Sequence, residues 1–176
     1  MVEMAMLVRR ILDRTYKLSG YLAAVFLALI LVLVSMQMFA RWGGEMMTGA
    51  PDYTGYCMAA ASFLALPYAL NNGSHIRVSL FLNGLGKYRK LGELWCWAIA
   101  SYLGCFFAYY AIKSTYESYR FNDISQGQDA WPLWIPQIAM CIGVTLFAIS
   151  LVDNLITTLL TGKDNISADS VDLQAE

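Results

Sequence analysis

Residues 18 to 40, LSGYLAAVFLALILVLVSMQMFA, form a run of 23 residues without a single charge. As a helix rising about 1.5 Å per residue, the run is roughly 35 Å long, enough to cross a hydrocarbon core of about 30 Å. Lipid offers the backbone no hydrogen-bond partner, so a segment at that depth must satisfy its own amides. A cleaved leader is the rival reading. Its apolar stretch would be about 7–15 residues and would close on a small-x-small site. This run is longer and ends in Met36-Gln-Met-Phe-Ala-Arg41, so it reads as a retained anchor.

Three more apolar runs follow, at Tyr53–Leu70, Leu94–Ile112 and Pro132–Leu160. Only 14% of the residues are charged and 58% are hydrophobic, against roughly 25% charged in an average soluble domain. No strand-like alternation of the membrane-barrel kind is present. The expected fold is therefore an all-α integral membrane protein with four transmembrane helices and an interfacial amphipathic helix between the second and third. The spans are placed at about 18–40, 53–70, 93–112 and 132–160, and the interfacial helix at about 76–91. Residues 1–162 make a single membrane domain, and the polar, acidic 163–176 is expected to be a flexible tail.

Basic residues set the orientation. Arg9, Arg10, Arg14 and Lys17 precede the first span; Arg77, Lys87, Arg89 and Lys90 lie between the second and third; Lys163 follows the fourth. The opposite side holds Arg41, Lys113 and Arg120, so the balance is nine against three. Both termini are expected in the cytoplasm, with residues 41–52 and 113–131 outside.

The stretch NNGSHIRVSLF, residues 71–81, contains the sole histidine, His75. Continued as a helix at 100° per residue, it places Val78, Phe81, Leu82, Leu85 and Tyr88 on one stripe, with Lys87 and Lys90 on the opposite face. Such a segment lies in the membrane surface, basic side toward lipid phosphates. His75 reads as a cap or interface contact, with a proton-sensitive contact and catalysis as the alternatives. A metal site needs three or four ligands, and His75 has no thiol or carboxylate at a suitable spacing. Haem held by two histidines is excluded within a chain that has one, and no GxSxG nucleophile elbow is present.

Cys57, Cys96, Cys105 and Cys141 all fall in apolar segments without a CxxC pair, and read as packing thiols rather than metal ligands or a disulfide framework. A net charge of −1 does not suit a nucleic-acid partner. The first and third spans have no charge in their centres, where proton and ion carriers retain one. No enzyme and no bound cofactor is expected. In the second span, Gly55, Ala59, Ala61, Ala65 and Ala69 are small residues at spacings that let helices approach closely. With no polar glue evident at depth, the close-packed faces are expected to dock a larger partner. Asp52, Glu117, Asp123 and Asp129 fall on the outer side, where complementary charge could seat a soluble protein.

Four spans of this length, GSHIRVSLF after the second, and WPLWIPQIAMCIGVTLFAISLVDNL for the fourth resemble the small membrane subunit (DctQ-like) of the tripartite ATP-independent periplasmic, or TRAP, transporters. The similarity covers roughly residues 10–160. His75, Arg77 and Leu80 match an H-x-R-x-x-L pattern, and Trp131–Gln137 a Trp-Pro-rich entry to the last helix; Ser79 departs from an aspartate common there. The resemblance implies a bacterial inner-membrane protein paired with a large permease subunit. A periplasmic binding protein delivers an organic acid, of dicarboxylate or sialic-acid type, and sodium coupling lies in the large subunit. With that resemblance, the larger partner expected on the small-residue face is the large subunit and the soluble protein expected on the four acids is the receptor, while the interfacial helix is expected to meet lipid or a partner. A small multidrug-type exporter is the alternative; such exporters are shorter and need a carboxylate in the first helix, which residues 18–40 lack.

Overall fold

A computed structural model describes residues 2–44, 47–72, 89–127 and 129–161. They form four helices: α1 (Val2–Trp42), α2 (Ala50–Asn71), α3 (Arg89–Phe121) and α4 (Trp134–Thr161). Among the described residues the β structure is limited to an isolated antiparallel bridge between Ile124 and Pro132. Three of the helices, α1, α3 and α4, are long and apolar enough to cross a membrane. α2 has 22 residues, or about 33 Å, but Tyr53, Tyr56, Tyr68, Thr54 and Ser62 dilute its apolar character.

The helices overrun the expected spans. α1 has 41 residues and is about 61 Å long, so the basic segment from Arg9 to Lys17 continues the helix instead of leading into it. α3 runs to Phe121, nine residues past the expected end at 112. Nothing in KSTYESYRF breaks a helix, and the Lys113 ammonium lies 3.9 Å from Glu117 at i,i+4, a spacing that supports helix at the surface. The helix stops where Asn122 turns into the left-handed region at φ 50°. Arg89, Lys90 and Leu91, expected to end the interfacial helix, form the first turn of α3.

The principal contacts join α1 to α2, α2 to α4 and α4 to α3. The spatial order is therefore α1-α2-α4-α3, an open row with α1 and α3 at its ends. On α3 the buried positions are Ser101, Gly104, Ala108, Ala111 and Ser118, with half-buried Leu94, Trp97 and Thr115 continuing their register. They alternate steps of three and four, the seam of a left-handed helix pair. Because the seam is built from Ser, Gly and Ala, α4 approaches closely: a Cβ on Gly104 would sit 2.6 Å from Leu151 Cδ1. Ala108, Val144 and Ala148 form the centre, flanked by Phe63 and Met140.

Pro67 sits inside α2 and is buried. Having no N–H, it leaves the carbonyl of Phe63 without its helical donor. α4 meets α2 at that carbonyl: a Cβ on Gly143 would lie 2.6 Å from both the carbonyl carbon and oxygen of Phe63, and 2.9 Å from the Leu64 nitrogen. Without a side chain at 143 the backbones can touch, and Cα–H groups can face the freed oxygen. On the other side of α2, the Tyr68 ring covers Gly20 of α1, where a Cβ would come within 2.7 Å of Cγ.

Candidate functional site

The α1–α2 connection and the α3–α4 loop meet at one end of the molecule. Gly49, buried and left-handed at φ 79°, precedes α2, and Pro51 occupies its first turn. The carboxylate of Asp129 lies against Gly49, and the carboxylate of Asp52 lies against Gly127. Each connection thus lends an acid to a glycine of the other. The α3–α4 loop is held by its own bonds: the Ser125 amide donates to the Trp131 carbonyl at 2.7 Å, and the Leu133 amide to the Asp123 carbonyl at 2.9 Å. The Tyr56 hydroxyl donates to Ser125 Oγ at 2.6 Å, and Tyr53 stacks edge-on against Trp131 with ring centres 5.7 Å apart. Of the four acids expected to face a receptor, Asp52 and Asp129 are therefore engaged in this clasp and half-buried. Asp123 is exposed, and Glu117 stands on α3 beside Lys113. All four share this end.

The expected small-residue face of α2 divides. Ala61 is buried by the chain's own helices, as is its neighbour Ala60; this corrects its expected place on a docking face. Gly55 is exposed, with open space where a Cβ would be. Ala59, Ala65 and Ala69 are half-buried. The open side of α2 runs through Gly55, Met58 and Ser62. The expected interfacial contacts His75, Arg77, Val78, Phe81, Leu82, Leu85, Lys87 and Tyr88 lie outside the described residues; Lys90 is in the first turn of α3.

The expectation of helices without polar glue is corrected by the contacts between them. Gln37 of α1 donates from Nε2 to Thr54 Oγ1 of α2 at 3.2 Å. Ser101 of α3 donates to the Leu151 carbonyl of α4 at 3.1 Å. Asn71 Oδ1, at the end of α2, accepts from Ser150 Oγ at 3.3 Å and from Asn154 Nδ2 at 3.4 Å, both on α4. Asn154 Nδ2 also donates to the Ser150 carbonyl one turn back, at 2.8 Å. Ser150 and Asn154 are fully buried, as are Tyr16 and Ser19 of α1 to within 2%. Interhelical bonds of this kind average about 0.6 kcal/mol and reach about 1–2 kcal/mol in lipid. The i,i+4 pair Ser150/Asn154 is visible in the sequence; its partner, Asn71, is 79 residues from Ser150.

The four cysteines are free thiols, and no group of three or more His, Cys, Asp or Glu able to hold a metal occurs among the described residues. Long apolar helices, close small-residue seams and hydrogen bonds that tie helix to helix define a polytopic helical membrane protein. Residues 30–161 match the family described as tripartite ATP-independent periplasmic transporters, DctQ component. The chain belongs to that family, which is one of transporter components and not of enzymes. No curated protein and no solved structure matches the chain.

Proposed function

We propose that this chain is the small permease subunit of a sodium-driven TRAP transporter. In this reading it pairs with a large permease subunit in a bacterial inner membrane and serves a periplasmic binding protein that delivers an organic acid, of dicarboxylate or sialic-acid type. The family match over residues 30–161 carries the proposal. The open row supports it: α1 and α3 at the ends each seat one neighbour along one seam and leave the rest of their apolar surface uncovered. α2 is read as the fourth span. Lying between α1 and α4, it has less lipid to face and tolerates its tyrosines and small residues.

The nine-to-three distribution of Lys and Arg supports cytoplasmic termini and, with them, a periplasmic clasp of Gly49, Asp52, Gly127 and Asp129. Asp123 and Glu117 are then the acids outside the clasp that can meet a binding protein, by contacts that weaken with salt. The segment expected to lie in the membrane surface, from 76 up to the start of α3, is read as a contact for lipid or the large subunit, and sodium coupling resides in the large subunit. Reconstitution tests the whole reading. Liposomes containing this chain alone should show no sodium-driven organic-acid uptake, and addition of the large subunit and the binding protein should restore it. Robust uptake by the small chain alone would overturn it.

A further inference from the structure

The two ends of the row, α1 and α3, carry different outer faces. The layer of lipid they cross is bounded on α4 by Trp134, which opens that helix, and by Asp153, its one charge. The two are 19 residues apart (153 less 134), or about 28 Å, close to the thickness of a hydrocarbon core. α3 meets α4 near both levels. The Ser101 hydroxyl donates to the Leu151 carbonyl, and the Tyr119 ring stands edge-on against Trp134 with ring centres 5.7 Å apart. Tyr109 and Tyr110 lie midway between Ser101 and Tyr119, about 12–15 Å from either one. Counted at about 100° per residue from Gly104, which faces α4, Tyr102, Phe106, Tyr109, Tyr110 and Lys113 all fall within about 60° of the opposite line. Tyr109 is 63% exposed and Tyr110 49%.

Lipid tails have nothing to offer those two hydroxyls, and a hydroxyl held in hydrocarbon without a partner is costly. The other polar groups on the outer faces are provided for. Ser35 of α1 and Thr115 of α3 donate to carbonyls one turn back, those of Leu31 and Ala111, both at 2.8 Å. Lys113 starts about 9 Å inside the Tyr119 level, but its flexible chain carries the ammonium to within 3.9 Å of Glu117, toward the boundary. A tyrosine hydroxyl stands at the far end of a rigid ring, out of reach of its own backbone and of the interface. Aromatic belts lie at the boundaries, not midway. By contrast, α1 has no polar side chain from Leu22 to Val34, and Leu27, Leu29, Leu31 and Val32 are exposed there. The rings of α3 also brace each other, with centres 4.6 Å apart for Phe106 and Tyr110 and 5.4 Å for Tyr109 and Tyr110. A face ordered in advance loses little side-chain freedom when a protein docks on it.

We propose that α3 is the docking edge of the chain and α1 its lipid edge: Phe106, Tyr109 and Tyr110 seat a transmembrane helix of the large permease subunit that presents hydrogen-bond acceptors at mid-depth. The assignment rests on the reading of the chain as a small permease subunit, and it moves the docking edge from the small residues of α2 to the aromatic residues of α3. The full chain is co-expressed with the large subunit of its transporter and carries photoreactive benzoylphenylalanine at position 106 or at position 31. Position 106 should cross-link to the large subunit and position 31 should not. Tyr109→Phe combined with Tyr110→Phe keeps both rings. It should weaken the complex in detergent about seven-fold, the effect of two interhelical hydrogen bonds of average strength, and leave the unfolding of the isolated chain unchanged or shifted toward greater stability. Three results would overturn the edge while the subunit reading stands: unchanged affinity in the double variant, cross-linking from 31 equal to or above that from 106, or cross-linking from 106 only to lipid or to a second copy of this chain. Failure of the unaltered chain to co-purify with the large subunit would strike the subunit reading itself, and this edge with it.

Discussion

The crossing of α2 and α4 gives the sharpest test of the packing argument. Replacing Gly143 by alanine places a Cβ 2.6 Å from the Phe63 carbonyl. An ordinary contact begins near 3.4 Å, so the helices must part by about 0.8 Å at the crossing (3.4 less 2.6). No side-chain rotation relieves this, because both atoms met are backbone. Overpacking of this kind costs about 1–3 kcal/mol. The bonds from Ser150 and Asn154 to Asn71 span 3.3 and 3.4 Å and have no slack, so their loss adds about 0.6 kcal/mol each. Against this, alanine favours the helix over glycine by about 1 kcal/mol. The net expectation is a loss of about 1–3 kcal/mol. Reversible unfolding in mixed micelles measures it. Two glycines calibrate the result. Gly55→Ala meets open space and should be neutral or stabilising, whereas Gly104→Ala meets the flexible end of Leu151 and should cost less than Gly143→Ala. If Gly143→Ala proved as stable as Gly55→Ala, the backbone contact would not exist as described.

Four further outcomes are expected. Asn71→Leu removes the shared acceptor of Ser150 and Asn154 and should destabilise the chain by about 1–2 kcal/mol in micelle unfolding; Ser150→Ala should cost less. Gly49→Ala should cost about 1–2 kcal/mol for the left-handed backbone and, by displacing Asp129, speed proteolysis of the 122–133 loop. Gly44→Ala, at φ 80° with nothing nearby, should cost stability without exposing that loop. In a variant stripped of its four cysteines, an impermeant maleimide applied to intact cells should label a cysteine at 123 and not one at 87; labelling at 87 would reverse the proposed orientation. Replacing Phe81 and Leu85 by aspartate should impair assembly with the large subunit, judged by co-purification, more than replacing Lys87 or Lys90 by glutamine.

The uncharged runs made the helices readable because lipid excludes charge, and α1, α3 and α4 carry those runs at their centres. Helix ends were less readable, since hydropathy reports where the membrane stops and not where hydrogen bonding stops. α3 continues to Phe121 on polar residues that are good enough helix formers, and is ended by the backbone of Asn122. The interior was obscured for a different reason. In water, the apolar face of a helix turns inward. Here α3 turns Ser101, Gly104, Ala108 and Ala111 inward and leaves Tyr102, Phe106 and Tyr109 exposed, so polarity alone points the wrong way. Size is the better guide but remains ambiguous within one helix: Ala61 is buried and Gly55 open, six residues apart on α2. A small residue marks a contact only when another helix brings something that must come close. Pro67 frees the Phe63 carbonyl, and Gly143 admits it. Neither residue means much alone, and they are 76 positions apart (143 less 67). The proline's cost within α2 is offset by a crossing that only a glycine on α4 permits, which makes the pair a packing unit encoded across two helices.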